Sequence, residues 1–248
     1  MGIKGEHRMI NVTQHRQEAA VGLISGGLDS TVVASHMMEN YAQQRFLFCN
    51  YGQKTLEREL QAFKDICDFL QPTDALVVDM TWLQAVGKSA LFTTDEKLTL
   101  ANRKNEYVPF RNAALLASAV ALAESVEADA VLIGSTGGDR TCPDNSPTFI
   151  AAYQQVVNVG TMTERKIVVN APLIAMDKKQ VIEYGISIGA PLELSWSCHN
   201  NLGSIACGVC SNCESRYLAF REIGQNDPLE YELVPPQPGS NSLGIHEI

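Results

Sequence analysis

The chain has no hydrophobic run long enough to span a bilayer, which excludes a helical membrane protein. It is poor in positive charge: 19 Lys and Arg face 28 Asp and Glu, a net charge of −9. Sequence-independent affinity for a phosphate backbone needs clustered cations, so this balance argues against nucleic acid as a partner and for a small molecule. The opening stretch Met1–Arg8 lacks the apolar core of a secretory signal, and the expected location is cytoplasmic. No segment repeats. No Lys follows the glycines of the Gly26-Gly27 turn, which excludes a Walker A loop.

What is present is an ordinary globular composition, 45% hydrophobic and 19% charged, in a chain of 248 residues, enough for one large α/β unit with a small appendage. The apolar run Ala19–Ile24 leads straight into Ser25-Gly26-Gly27-Leu28-Asp29-Ser30 and then Thr31–Met38. That order reads as a buried parallel strand, a glycine turn and a helix start, which points backbone N–H groups and a positive helix end at phosphate. Ser25 and Ser30 add hydroxyls, and Asp29 can hold Mg²⁺. Further strands are expected at 45–49, 75–79, 130–134 and 166–169, alternating with helices at about 55–70, 112–125, 147–159 and 178–188. This alternation predicts a doubly wound parallel sheet with ligands at the carboxyl ends of its strands. Thr81 to Tyr107 shows no clean period and reads as a long excursion over that edge. We divide the chain into an N-terminal extension (1–18), the nucleotide-binding α/β domain (19–190), a metal-binding and helical subdomain (191–224) and a flexible Pro-rich tail (225–248).

Seven cysteines in a chain expected to be cytosolic point to metal or catalysis rather than disulfides. Cys49 and Cys67 fall in a strand and a helix, where small buried thiols are common, and Cys142 falls in a polar loop. Cys198, Cys207, Cys210 and Cys213 lie within sixteen residues. Four soft thiolates suit a closed tetrahedral Zn²⁺ site, with a redox pair or an iron–sulfur cluster as the rival reading. His199 then reads as a surface or pocket residue rather than a ligand.

The Ser-Gly-Gly-x-Asp-Ser loop resembles the PP-loop of the ATP pyrophosphatase superfamily, which cleaves ATP between the α and β phosphates. Leu23–Thr31, Tyr51-Gly52-Gln53, Lys88–Leu91, Tyr107–Asn112, Ala128–Gly134, Pro143-Asp144, Ala171-Pro172-Leu173 and Ser195–Cys198 together resemble the QueC family of 7-cyano-7-deazaguanine synthases over about Ala19 to Gly224. The resemblance implies adenylation of 7-carboxy-7-deazaguanine, ammonia attack to an amide, and a second ATP-dependent step that dehydrates the amide to a nitrile. It implies that Ser25, Gly26, Gly27, Leu28, Asp29, Ser30 and Gly134 bind the nucleotide with Mg²⁺, and that Asp29, Arg111 and Lys178 are catalytic. It implies too that Tyr51, Gln53, Asn112, Asp139 and Asp144 meet the substrate, that the cysteines hold zinc, and that the protein forms a homodimer.

Two places depart from the family pattern. The segment Asp139–Pro147 keeps Pro143-Asp144 but lacks the family's Tyr, Cys and Arg, and Asn50 stands where Asp is usual. Two alternatives therefore stay open: a paralogue that passes the adenylated base to another amine, such as a protein N-terminus, and a PP-loop tRNA-modifying enzyme or non-catalytic nucleotide-binding zinc module.

Overall fold

The computed structural model describes residues 17–137, 142–162, 164–200 and 203–235. Five parallel strands form one sheet: β1 (Gln17–Leu23), β2 (Tyr41–Asn50), β3 (Asp74–Asp79), β4 (Ala130–Leu132) and β5 (Val168–Asn170), in the order β3-β2-β1-β4-β5. The chain runs outward from β1 to β3, then returns to lay β4 against the free side of β1, pairing Ala20 with Ala130 and Gly22 with Leu132. The switch point therefore falls between β1 and β4, where a doubly wound sheet opens its ligand crevice.

The strands are apolar on both faces because helices cover both. Phe46 and Phe48 of β2 join Val32 and Met37 of α1 (Leu28–Asn40), Phe63 and Ile66 of α2 (Leu56–Leu70) and Ile182 of α6 (Lys178–Ser187) on one side. Leu47 and Cys49 alternate to the other side, with Leu116 and Ala119 of α4 (Arg111–Ser125) and Val157 of α5 (Pro147–Gly160). A third cluster lies off the sheet, where Leu91, Leu98 and Val108 pack on Trp196 and the four cysteines.

The expected strands and helices form within a few residues of their predicted bounds, with one larger difference. β2 starts at Tyr41 rather than Arg45 because its first residues already pair with β1, and buried Gln44 is held by Thr73, donating its backbone N–H to the Thr73 hydroxyl and accepting from it at Oε1. The aperiodic stretch 81–107 contains a short helix α3 (Trp82–Val86) and a 3-10 run (Leu100–Glu106). A seventh helix, α7 (Ser211–Glu222), follows the cysteine cluster.

One expectation is corrected. The chain after Gly224 was read as a flexible tail from its proline and polar content, yet residues 225–235 fold back onto the cysteine lobe. Glu230 and Glu232 pair with Ala206 through backbone hydrogen bonds, and Asp227 is buried against Arg216. Burial of an ion pair and two backbone bonds outweighs local composition. The rest of the expected tail, from residue 236 on, lies outside the described residues, as does most of the N-terminal extension. Among the described residues, no helix is long and apolar enough to cross a membrane.

Candidate active site

The phosphate loop is built as its composition suggests. Gly27 is the N-cap of α1 and offers no side chain to cap it, so the N–H groups of the first turn stay directed at the crevice. Ser30 Oγ donates to the Gly27 carbonyl at 2.9 Å and receives the Ser25 N–H at 3.2 Å, while the two serine hydroxyls sit 3.2 Å apart. Gly26 has φ +78°, and a Cβ there would lie 2.6 Å from the Glu59 carbonyl of α2, so only glycine fits. Gly134, at the end of β4, would put a Cβ 3.2 Å from Ser30 N. The cradle is thus a backbone surface closed from both sides. The Leu28 side chain is buried in the core, so only its backbone faces the crevice loop.

Two cations join it. Lys178, the first residue of α6, brings Nζ to 2.7 Å from both carboxylate oxygens of Asp29. Asp177 caps that helix by accepting from the Gln180 N–H, which sets the direction in which Lys178 leaves it. Arg111, first in α4, donates to Tyr51 Oη at 3.1 Å and lies over its ring. Burial disfavours the guanidinium charge, but Tyr51, Cys142, Glu59 and Asp144 outweigh that and raise its pKa. Burial pushes the Tyr51 phenol up to about 12, so it stays neutral.

Ser25, Gly27, Asp29, Ser30, Tyr51, Arg111, Asn112, Gly134 and Lys178 all line one cavity of about 640 Å³ at the carboxyl end of the sheet. That volume is in the range of small-molecule sites. Two expected substrate residues stand outside this lining. Gln53 is buried, accepts the Tyr51 N–H at 3.0 Å and donates to Glu59 at 2.9 Å, so it shapes the turn that presents Tyr51. Asp144 is buried too: its carboxylate accepts the Asn112 N–H at 2.8 Å, capping the start of α4. A buried helix end with free N–H groups outcompetes a ligand for that carboxylate. Asp139 lies outside the described residues.

Sequence reasoning missed the far wall of the cavity, made by Glu106, Trp196, Ser197, Ser211, Asn212 and Arg216, with His199 set there as a pocket residue. Ser211 Oγ donates to Glu106 at 2.8 Å, His199 Nδ1 lies 3.4 Å from the same carboxylate, and His199 Nε2 is 3.0 Å from Asn212 Nδ2. Burial would raise the Glu106 pKa, but His199, Ser211 and Arg103 outweigh it and hold the group below the ordinary carboxylate range. No periodicity marks this wall; its sequence signals are the Ser195–Cys198 motif, the neighbouring cysteines and, for Glu106, the Tyr107–Asn112 motif that follows it.

The sulfurs of Cys198, Cys207, Cys210 and Cys213 lie within 4.8 Å of one another and all four residues are buried. Backbone N–H groups of Cys207 and Asn200 approach Cys198 Sγ at 3.3 and 3.4 Å, and those of Val209 and Cys210 approach Cys207 Sγ at 3.4 Å. Such donors stabilise thiolate, and the three neighbouring sulfurs hold the Cys207 thiol far below its usual range. This donor set fits a metal held by four sulfurs. Trp196 ties the lobe to the phosphate loop, its N–H donating to the Gly26 carbonyl at 2.8 Å and its indole to Cys198 O at 3.0 Å.

A parallel sheet with an uncapped glycine turn at its switch point, Lys178 and Arg111 lining the cavity beside it, and a lobe with four clustered cysteines define an α/β protein whose turn suits phosphate and whose appendage suits a metal. Within that class the particular family is shown by comparison: the family described as "Queuosine biosynthesis protein QueC" matches residues 19–224, and the chain belongs to it. A 7-cyano-7-deazaguanine synthase of Chlorobaculum tepidum is 38% identical over 87% of this chain and 97% of its own length. One from Methanoculleus marisnigri is 40% identical over 86% of this chain and 98% of its own length.

Proposed function

We infer that this protein is a 7-cyano-7-deazaguanine synthase, an ATP-dependent carbon–nitrogen ligase that takes 7-carboxy-7-deazaguanine and ammonia. The observation that carries the reading is the Asp29–Lys178 pair at the uncapped start of α1, which shares with Arg111 a cavity roomy enough for a nucleotide and a base. A carboxylate oxygen is a poor leaving group. Attack of the carboxylate on the α-phosphate of ATP forms the acyl adenylate and releases pyrophosphate; ammonia then displaces AMP to give the amide. A second ATP adenylates the amide oxygen, and loss of AMP and a proton leaves the nitrile.

On this reading the N–H groups of the α1 turn and the hydroxyls of Ser25 and Ser30 take the departing pyrophosphate. Arg111 presents a planar fork to the phosphates. Mg²⁺, which neutralises phosphate charge, would be held by Asp29, and Lys178 would then share or release that carboxylate. Zn²⁺ would be held by Cys198, Cys207, Cys210 and Cys213 in a closed site that organises the lobe without chemistry of its own. The protein acts in the cytoplasm on a free base.

Incubation with 7-carboxy-7-deazaguanine, ATP, Mg²⁺ and ammonia, followed by mass spectrometry, tests the reading. The expected product is the free nitrile, with AMP and pyrophosphate. A product that stalls at adenylate or amide until a protein amine is added would replace it with conjugation, and no AMP release with any 7-deazaguanine carboxylate would remove it.

A further inference from the structure

We propose that Glu106 is the specificity-determining residue for the base, its carboxylate accepting the paired N–H donors of a guanine-like edge. The proposal rests on the reading above and names a residue that the family resemblance did not supply.

Among the described residues three carboxylates line the cavity: Asp29, Glu59 and Glu106. Asp29 is held by Lys178 at 2.7 Å through both oxygens, at the phosphate end. Glu59 is spent on Gln53 and Thr55, one oxygen on each. Glu106 differs. Its hydrogen-bond partners are the neutral hydroxyl of Ser211 and the imidazole of His199, and no Lys or Arg holds both of its oxygens as Lys178 holds those of Asp29. An ionised carboxylate offers about four lone pairs, so two such contacts leave it able to accept from a ligand.

The chemistry of the ligand calls for that group. A 7-deazaguanine carries N1–H and an exocyclic amine side by side, two donors at the spacing of two carboxylate oxygens, with a carbonyl next to them that a carboxamide such as that of Asn212 can meet. Its 7-carboxylate, at the other side of the bicycle, must reach the phosphate end. A site with Lys178 beside the α1 turn and an acceptor with lone pairs to spare in Glu106 offers a partner to both ends of such a molecule. Of the two acids expected to meet the substrate, Asp144 is buried at the start of α4 and Asp139 lies outside the described residues.

The test is a chemical double-mutant cycle on the zinc-loaded protein, read by calorimetric titration. It uses 7-carboxy-7-deazaguanine and its analogue lacking the 2-amino group, against wild type and Glu106→Gln. A charge-assisted hydrogen bond is worth enough that Glu106→Gln should weaken the base about 10- to 100-fold, with ATP affinity and metal content unchanged. The analogue should bind wild type about tenfold more weakly, and the variant should show no further loss for it. Ser211→Ala, which cuts the tie to α7 while leaving the carboxylate, should keep full discrimination of the 2-amino group. Equal base affinity in Glu106→Gln, or losses that simply add, would overturn the proposal while leaving the synthase reading intact. A wild type that binds neither base would remove both.

Discussion

The two walls of the cavity are held by different physics. The phosphate wall stands on the sheet: α1 buries Leu28, Val32, Val33, Ala34 and Met37 against the central strands, and the turn at its start offers backbone to the cavity. The far wall stands on few apolar groups. The residues that α7 buries include Ser211, Cys213 and Arg216 besides Ala219 and Phe220, and its order rests on four sulfurs and one internal ion pair. Arg216 and Asp227 are each about 1% exposed. The guanidinium also donates to the Ser195 hydroxyl at 2.7 Å and the Leu192 carbonyl at 3.0 Å, so a single side chain joins α7, the 192–197 segment and the refolded C-terminal stretch. A surface made by a hydrophobic core survives the loss of one group; a surface made by point ligands does not.

The sharpest way to break that contrast is to remove the metal. Structural zinc in small sites contributes on the order of 10 kcal/mol to folding of the segment that holds it. Cys207→Ala, or chelation, should therefore abolish metal by elemental analysis and expose the Trp196 indole to solvent, seen as a red shift of its fluorescence. The sheet should keep its far-UV circular dichroism. Iron with a visible chromophore in the native protein would instead favour a cluster.

At the phosphate wall Asp29→Ala should cut AMP and pyrophosphate formation about a thousandfold, close to 4 kcal/mol of transition-state stabilisation, with an unchanged melting temperature. Undiminished AMP release by the folded variant would take the Mg²⁺ role from Asp29. The third test returns to the lobe. Asp227→Ala leaves Arg216 charged and buried without its partner, which costs about 3 kcal/mol of stability by denaturant unfolding. A loss below about 0.5 kcal/mol would mean the C-terminal stretch is dispensable.

The smallest effect separates capping from recognition. Asp144→Ala should cost about 1 kcal/mol, as a lost N-cap does, and leave base affinity unchanged. A large loss of base binding at unchanged stability would return Asp144 to the substrate.

Much of the fold was legible because it is local. The run Ala19–Ile24, the glycines at 26 and 27 and the alternating apolar segments each announce their structure within a few residues. The positions of Asp29, Arg111 and Lys178 at helix starts were legible for the same reason. The far wall was not. α7 has no clean apolar stripe because sulfur and salt replace a hydrophobic face, so periodicity gives no signal. Residues 225–235 read as a tail because their partners, Ala206 and Arg216, are distant in composition from anything a tail would be expected to seek. Gln53 and Asp144 drew attention as polar residues in the right neighbourhood, and burial turned both to holding the backbone.

By itself, the order of residues determined the parallel sheet, the glycine turn at the start of α1 and the grouping of four cysteines, since each depends on backbone preferences and on residue types at short spacing. Only the tertiary structure decided which carboxylates face the cavity. Asp144 and Glu106 are both acids next to site motifs, and nothing local tells them apart. The distinction arises because the buried N-terminus of α4 claims one carboxylate to satisfy its free N–H groups, while α7 and the cysteine lobe leave the other open to the cavity.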